Sequence, residues 1–233
     1  MDTSFSLAGQ LLLVAGDHLS ALERLLNDPA LAVSPWTVAR SVVESVSICL
    51  WLMDPGIGAP ERIARGMNLR LQSLNDSVTW FGSLDQPDDV RQQIERQKER
   101  LRGLKDLAVS RGVTPVLNRQ GVSVGFGERM PSISTLTGHA NLEEFWRLAS
   151  GMAHGRNWAT LSGGFSRVDG TNVVTPTLSP EGTPVLVSVP LWAWLRGQVA
   201  MFTYAGWKTK DLAAVCDPLL DAAGFTRGFR PWA

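Results

Sequence analysis

The chain has 233 residues, 44% of them hydrophobic and 19% charged, which excludes a disordered polymer and allows one large domain or two small ones with a sizeable core. Twenty-two basic residues balance 22 acidic ones, giving a net charge of zero and a pI near 6.8. No global field therefore draws the protein to nucleic acid or to an anionic membrane, and any polyanion binding has to be local.

Two cysteines, Cys49 and Cys216, lie far apart in apolar helical patterns and have no CxxC neighbour. They read as reduced core residues of a cytoplasmic protein. The run Leu11 to Ala15 is too short to span a bilayer and lacks a basic start, and the run Val42 to Met53 is broken by Glu44, so neither a targeting segment nor a membrane span is expected.

In chain order, Ser4 to Asn27 carries Leu7, Leu11, Val14, Leu22, Leu25 and Leu26 at helical spacing, ending at Asp28-Pro29. His18 falls on or beside that stripe and reads as a core or rim residue. Ser34-Pro35 looks like an N-cap followed by proline in the first turn of a helix from Trp36 to Met53. Within it Arg40 and Glu44 are four apart and Ser47 continues their face. Two readings stay open there: an intrahelical ion pair, or the lining of a cavity shared with Arg147 and His154.

A third helix is predicted from Pro60 to Phe81, with Ile63, Met67, Leu71, Leu74, Val78 and Phe81 on one side and Arg62, Arg65 and Arg70 elsewhere. Gln86-Pro87-Asp88 separates it from a fourth, Asp89 to Ser110. The run Arg91, Arg96, Lys98, Arg100, Arg102, Lys105 and, at its end, Arg111 is offset there by Glu95, Glu99 and Asp106, as on a solvated face laced with local ion pairs, the alternative being electrostatic contact with an RNA or DNA backbone. Val113 to Pro131, rich in glycine and short β-prone runs, predicts a loop with a small hairpin; Gly125-Phe126-Gly127 lacks the context of a phosphate-binding fingerprint. Ser132 to Thr137 predicts a short helical turn, and Asn141 an N-cap for the next helix.

That next helix holds Arg147-Leu-Ala-Ser-Gly-Met-Ala-His154-Gly155. Residues seven apart on a helix share a face, so Arg147, Ser150, Gly151 and His154 form one stripe, with a guanidinium at one end and an imidazole at the other. Leu142, Phe145, Leu148, Ala149 and Met152 form the opposite, apolar stripe. Trp146 and Trp158 flank the polar one, either walling a pocket, stacking on a base or filling the core. Residues 164–189 read as an irregular connection with strands at Asn172 to Thr175 and Val185 to Val189. Pro190 then starts a helix rich in aromatics, and Thr209 caps a last one closed by Gly224.

No HExxH, no cysteine pair and no carboxylate-histidine cluster offers a metal site, no cofactor fingerprint is present, and the GxSxG elbow of a serine hydrolase is absent. What remains is acid-base work by an imidazole beside a guanidinium. An arginine holds phosphate through its forked donors and a histidine moves protons near neutral pH, a combination suited to cleaving an RNA phosphodiester.

Arg147 and His154, six residues between them on a helix of an all-α chain, resemble the R-x4-6-H signature of the HEPN superfamily. Ser150-Gly-Met-Ala-His154-Gly155 is similar to the S-x-x-x-H-G form of its divergent bacterial members. The resemblance covers roughly Ser4 to Leu161. It implies a bundle of four or five helices, commonly a homodimer, that cuts RNA without metal, in the manner of toxins with a cognate antitoxin and of phage-defence proteins. Arg147 would bind the phosphate and His154 act as base or orienting group, with Ser150, Arg40, Glu44 and Trp158 as binding residues. The expectation is thus a mainly α single domain over 1–233: a HEPN-like bundle core at 4–161, the irregular connection, and C-terminal helices at 190–224. The alternative is a HEPN-like module that does not catalyse but binds a small anion, a nucleotide or a protein partner.

Overall fold

Helix-forming patterns dominate the chain, and the computed structural model is mainly α with small β insertions. It describes residues 3–27, 30–83, 88–163, 165–168, 170–171, 174–177, 182–226 and 230–232. Its elements are α1 (Thr3–Leu26), α2 (Ser34–Leu52), α3 (Ala59–Gly82), α4 (Asp88–Ser110), β1 (Pro115–Leu117), β2 (Ser123–Phe126), α5 (Ile133–His139), α6 (Glu143–Ala153), α7 (Asn157–Gly163), β3 (Phe165–Arg167), β4 (Val174–Pro176), α8 (Gly182–Tyr204) and α9 (Thr209–Ala222). These fall into two compact units, one of Met1–Ser6 with Gly56–Pro131, the other of Leu7–Pro55 with Ser132–Ala233.

In the first unit α3 packs against α4 and against the antiparallel β1–β2 hairpin. Ala64, Met67 and Leu71 of α3 meet Leu104 and Ala108 of α4 over the fully buried Phe126. Asn68 clamps the hairpin as a surrogate strand: its Nδ2 donates to the carbonyls of Phe126 and Glu128 at 3.1 and 2.8 Å, and its Oδ1 accepts from the Phe126 N–H at 2.6 Å. Arg62 and Arg65, expected away from the apolar side of α3, are buried, whereas Ile63 is exposed. Their guanidiniums find partners there. Arg62 donates to the Ile57 carbonyl, and Arg65 bridges Glu61 at 2.8 Å and Glu128 at 3.0 Å. On α4 the ion pairs Arg91–Asp88 and Lys98–Glu95 are exposed, as a solvated face requires. Val113 to Pro131 carries the predicted hairpin.

The second unit is built on α2, which packs against α8, α6 and α5. Its buried residues Ala39, Val42, Val43, Val46, Cys49 and Leu52 recur at helical spacing. The helix already includes Ser34, with Val33 as its cap and no side-chain capping bond, so the expected serine cap lies one residue inside. Ser132 does cap α5, accepting from the Thr135 N–H. On α1 the buried stripe is Ala8, Leu12, Ala15 and Leu22, one residue round from the expected Leu7, Leu11 and Val14, and Leu13 is 77% exposed. Apolar residues lie on several sides of that helix, so small residues that allow close approach set its phase. Gly197 of α8 offers the matching notch, since a Cβ there would lie 2.5 Å from the Leu12 side chain.

The segment Val185 to Val189 is helix, not strand, and Pro190 lies inside α8 instead of starting it. Leu186, Pro190, Ala193, Gly197 and Met201 are spaced four, three, four and four apart and are all buried, a stripe that outweighs the β propensity of three valines. Pro184 sits in the first turn, where an amide has no helical partner to lose. The other expected strand is present in part, as Val174–Pro176 paired antiparallel with Phe165–Arg167. Asn172 and Val173, where it was expected to begin, lie outside the described residues. In α9 the cap is Lys208 and Thr209 opens the helix, while Gly224 follows its end at φ 76°.

Among the described residues two helices, Ser4–Leu26 and Gly182–Tyr204, are long and apolar enough by length and composition to cross a membrane. The apolar stretch around Leu11 to Ala15 is therefore longer than its leucine run. Core helices of soluble proteins meet the same measure.

Candidate functional site

Trp36, Arg40, Glu44 and Ser47 of α2 are spaced four, four and three apart, which places them on one face of the helix. Arg40 Nε donates to Glu44 Oε1 at 2.7 Å, the two side chains being 24% and 28% exposed. The indole Nε1 of Trp146, on α6, donates to the same oxygen at 2.7 Å, and the Arg40 guanidinium lies 5.7 Å from the centre of the Trp146 ring. One carboxylate oxygen thus receives a cation and an indole, and the guanidinium is held both by the carboxylate and by the ring. Trp36 packs against Phe145 of α6, their ring centres 6.0 Å apart, and adds an apolar contact between the same two helices.

The turn ahead of α6 is made by Asn141, which has φ 57° instead of capping the helix with its side chain. Its N–H donates to the Gly138 carbonyl and the Leu142 N–H to that of Thr137, so it ends α5 in the left-handed conformation that asparagine tolerates. The far end of α6 closes in the same way. His154 is the C-cap, Gly155 follows at φ 62°, and the N–H groups of Gly155 and Arg156 donate to the carbonyls of Met152 and Gly151 at 3.1 and 2.8 Å. This double closure fixes the backbone that carries the imidazole.

From that position His154 Nε2 lies 3.2 Å from Arg40 Nη1. A guanidinium has donors only, so in a hydrogen bond across this contact Nε2 is the acceptor. Arg40, Glu44, Trp146 and His154 therefore form one cluster, with His154 exposed at its edge.

The other expected residues take different places. Arg147 donates through Nη2 and Nε to Glu143 Oε1 at 2.7 and 3.0 Å, and its side chain is 64% exposed. An exposed pair of that kind is worth about 0–1 kcal/mol, so it gives way readily to a competing anion. The half-buried Ser150 accepts the His154 N–H through its backbone carbonyl. Gly151 is buried and covered: a Cβ there would lie 2.6 Å from the Ala159 methyl and 2.8 Å from Trp158 Cζ2. Trp158 itself is 57% exposed.

The sequence left Arg40 and Glu44 either as an ion pair or as the lining of a cavity with Arg147 and His154; in the structure Arg40 makes both the ion pair and a contact with the imidazole, Arg147 is engaged by Glu143 and Trp146 holds Glu44. The signal for Arg40 was present in its four-residue spacing from Glu44. Nothing local could link Glu44 to Trp146, 102 residues away. Among the described residues no group of three or more His, Cys, Asp or Glu side chains is arranged to hold a metal ion. Cys49, buried on α2, has its thiol pushed up to about 12 by burial, and Cys216 is raised by burial and by the Asp217 carboxylate. Comparison with family models, curated proteins and solved structures finds no match to this chain.

Proposed function

We propose that the protein is a HEPN-like, metal-independent ribonuclease of the toxin or phage-defence kind, working in the cytoplasm as a homodimer, with Arg40 taking the phosphate-binding part first expected of Arg147. The observation that carries this reading is the contact between Arg40 and His154, 114 residues apart in sequence. A phosphate oxygen entering that contact takes the Arg40 donors and frees the Nε2 lone pair. His154 Nε2 then accepts the proton of the neighbouring 2′-hydroxyl. The 2′-oxygen bonds to phosphorus, the bond from phosphorus to the 5′-oxygen breaks, and that oxygen takes a proton from water. Arg40 holds the charge on phosphorus, and Glu44 and Trp146 hold Arg40. Arg147, on the helix that ends at His154, adds a second cation once released from Glu143.

A second reading, binding of RNA or another phosphate-bearing ligand without cleavage, is favoured by the Arg147–Glu143 pair, which engages the motif's arginine away from the imidazole. Incubation of the purified protein with total RNA in chelator separates the two. The ribonuclease reading expects fragments from the wild type and intact RNA with H154A and R40A. Intact RNA in every tube, with retention on immobilised RNA that R40A abolishes, establishes the second reading.

A further inference from the structure

Helix α9 seats one side and leaves an apolar one in water. Leu220 is buried, and the helix packs against α8. Ala214, Val215, Pro218, Leu219 and Ala222 are all exposed, Val215 by 66% and Leu219 by 68%. Their spacing of one, three, one and three sets them on a single stripe, so covering it would remove a continuous apolar surface from water. Lys210 and Asp221 lie eleven residues apart, close to three full turns, and therefore flank the stripe on the same side at its opposite ends. Lys208 and Asp211 stand near the first end and Asp217 near the second. Arg230 is ion-paired with both Asp217 and Asp221, yet the Asp221 side chain stays 67% exposed and can take a second cation.

We infer that the outer stripe of α9 is the contact between two copies of this chain, the two helices running antiparallel about a twofold axis beside Val215. In that arrangement each flank faces the same flank of the other helix with its ends exchanged, so Lys210 of one copy meets Asp221 of the other. A parallel pair would set lysine against lysine and aspartate against aspartate. A second copy of the helix supplies both halves of the match, the apolar stripe and the exchanged charges. A helix of 14 residues is about 21 Å long and covers well under the ~800 Å² per partner of a standard interface, so the dimer is reversible and dissociates in the micromolar range. The pairing uses no residue of α2 or α6, and it goes beyond the RNA reading without resting on it.

The test is sedimentation velocity of the full chain from low to high micromolar concentration. Wild type is expected to pass from monomer to dimer, and V215D/L219D to raise the dissociation constant about tenfold or more. A wild type that stays monomeric throughout overturns the proposal, and so does a dimer indifferent to V215D/L219D. A V215D/L219D chain that has lost its helical circular dichroism is replaced by V215S/L219S, for which the same loss of dimer is expected. Orientation is read by oxidation in a C216S background: V215C, beside the axis, should give disulfide-linked dimers, and K210C, at the ends, should not. Equal cross-linking of the two marks a parallel pair and overturns the antiparallel contact, as does cross-linking of neither. RNA cleavage is measured separately, and its absence removes the ribonuclease reading without touching this contact.

Discussion

One guanidinium serves two partners in the proposed site. Arg40 reaches Glu44 through Nε and His154 through Nη1, which a lysine ammonium on a flexible stem cannot reproduce together. R40K is therefore expected to lower RNA cleavage on the order of a hundredfold, close to the loss from R40A, and a kinetic comparison in chelator checks it. Near-normal turnover by R40K would mean that a point charge suffices and that the fork is unused. Cys49 gives a prediction about stability. Its buried thiol is pushed up to about 12, whereas in the unfolded chain a cysteine titrates near ~8.5. Between those values the unfolded state releases a proton that the native state keeps. The contribution is thus fully present below the unfolded value and is lost as pH rises through the window, by up to roughly 1.4 kcal/mol per pH unit. Urea melts at pH 8 and pH 10 should show this decline, and C49A should reduce it. The local pair Arg40–Glu44 was legible from sequence, because residues four apart on a helix are always neighbours. Trp146 on Glu44 was not, since it depends on how α6 lies against α2.

Between helices, the glycines separate packing from propensity. G151A would drive a methyl into Ala159 and Trp158, and a cost of about 1–3 kcal/mol is expected in thermal or urea melts. Gly103, inside α4, has nothing within 4 Å of where its Cβ would lie, so G103A should stabilise by about 0.5–1 kcal/mol. Equal effects of the two substitutions would contradict the close seating of Trp158 on α6. Helices α2, α4 and α6 were legible because their apolar residues recur with one clear phase, and α3 was legible in extent although two of its arginines turn inward. In α1 the phase was ambiguous, since leucines and valines occur on several sides. In α8 alternating valines imitate a strand until the longer stripe from Leu186 to Met201 is taken as a whole. Asn141 was readable as a boundary but not as a left-handed one, because asparagine serves at both ends of helices.

Over the full chain, zero net charge limits what RNA binding can be. On the proposed reading, affinity for RNA comes from a few phosphates at Arg40 and Arg147. The slope of log K against log salt should then be shallow, about −0.7 for each phosphate engaged on a single strand. A slope several times steeper than these few phosphates give would place the contact elsewhere, for instance along the basic run of α4. The division into two compact units was not legible in the sequence, because two of its boundaries, Pro55-Gly56 and Pro131-Ser132, resemble any other turn, and the third, Ser6-Leu7, lies inside α1. The three histidines, His18, His139 and His154, make one measurement especially direct: imidazole resonances followed by NMR while a non-cleavable RNA dinucleotide is added. The His154 signals should move while those of His18 and His139 stay, and R40A should remove the response. Unmoved His154 signals, or equal shifts of all three, would contradict a phosphodiester site at the Arg40–His154 contact.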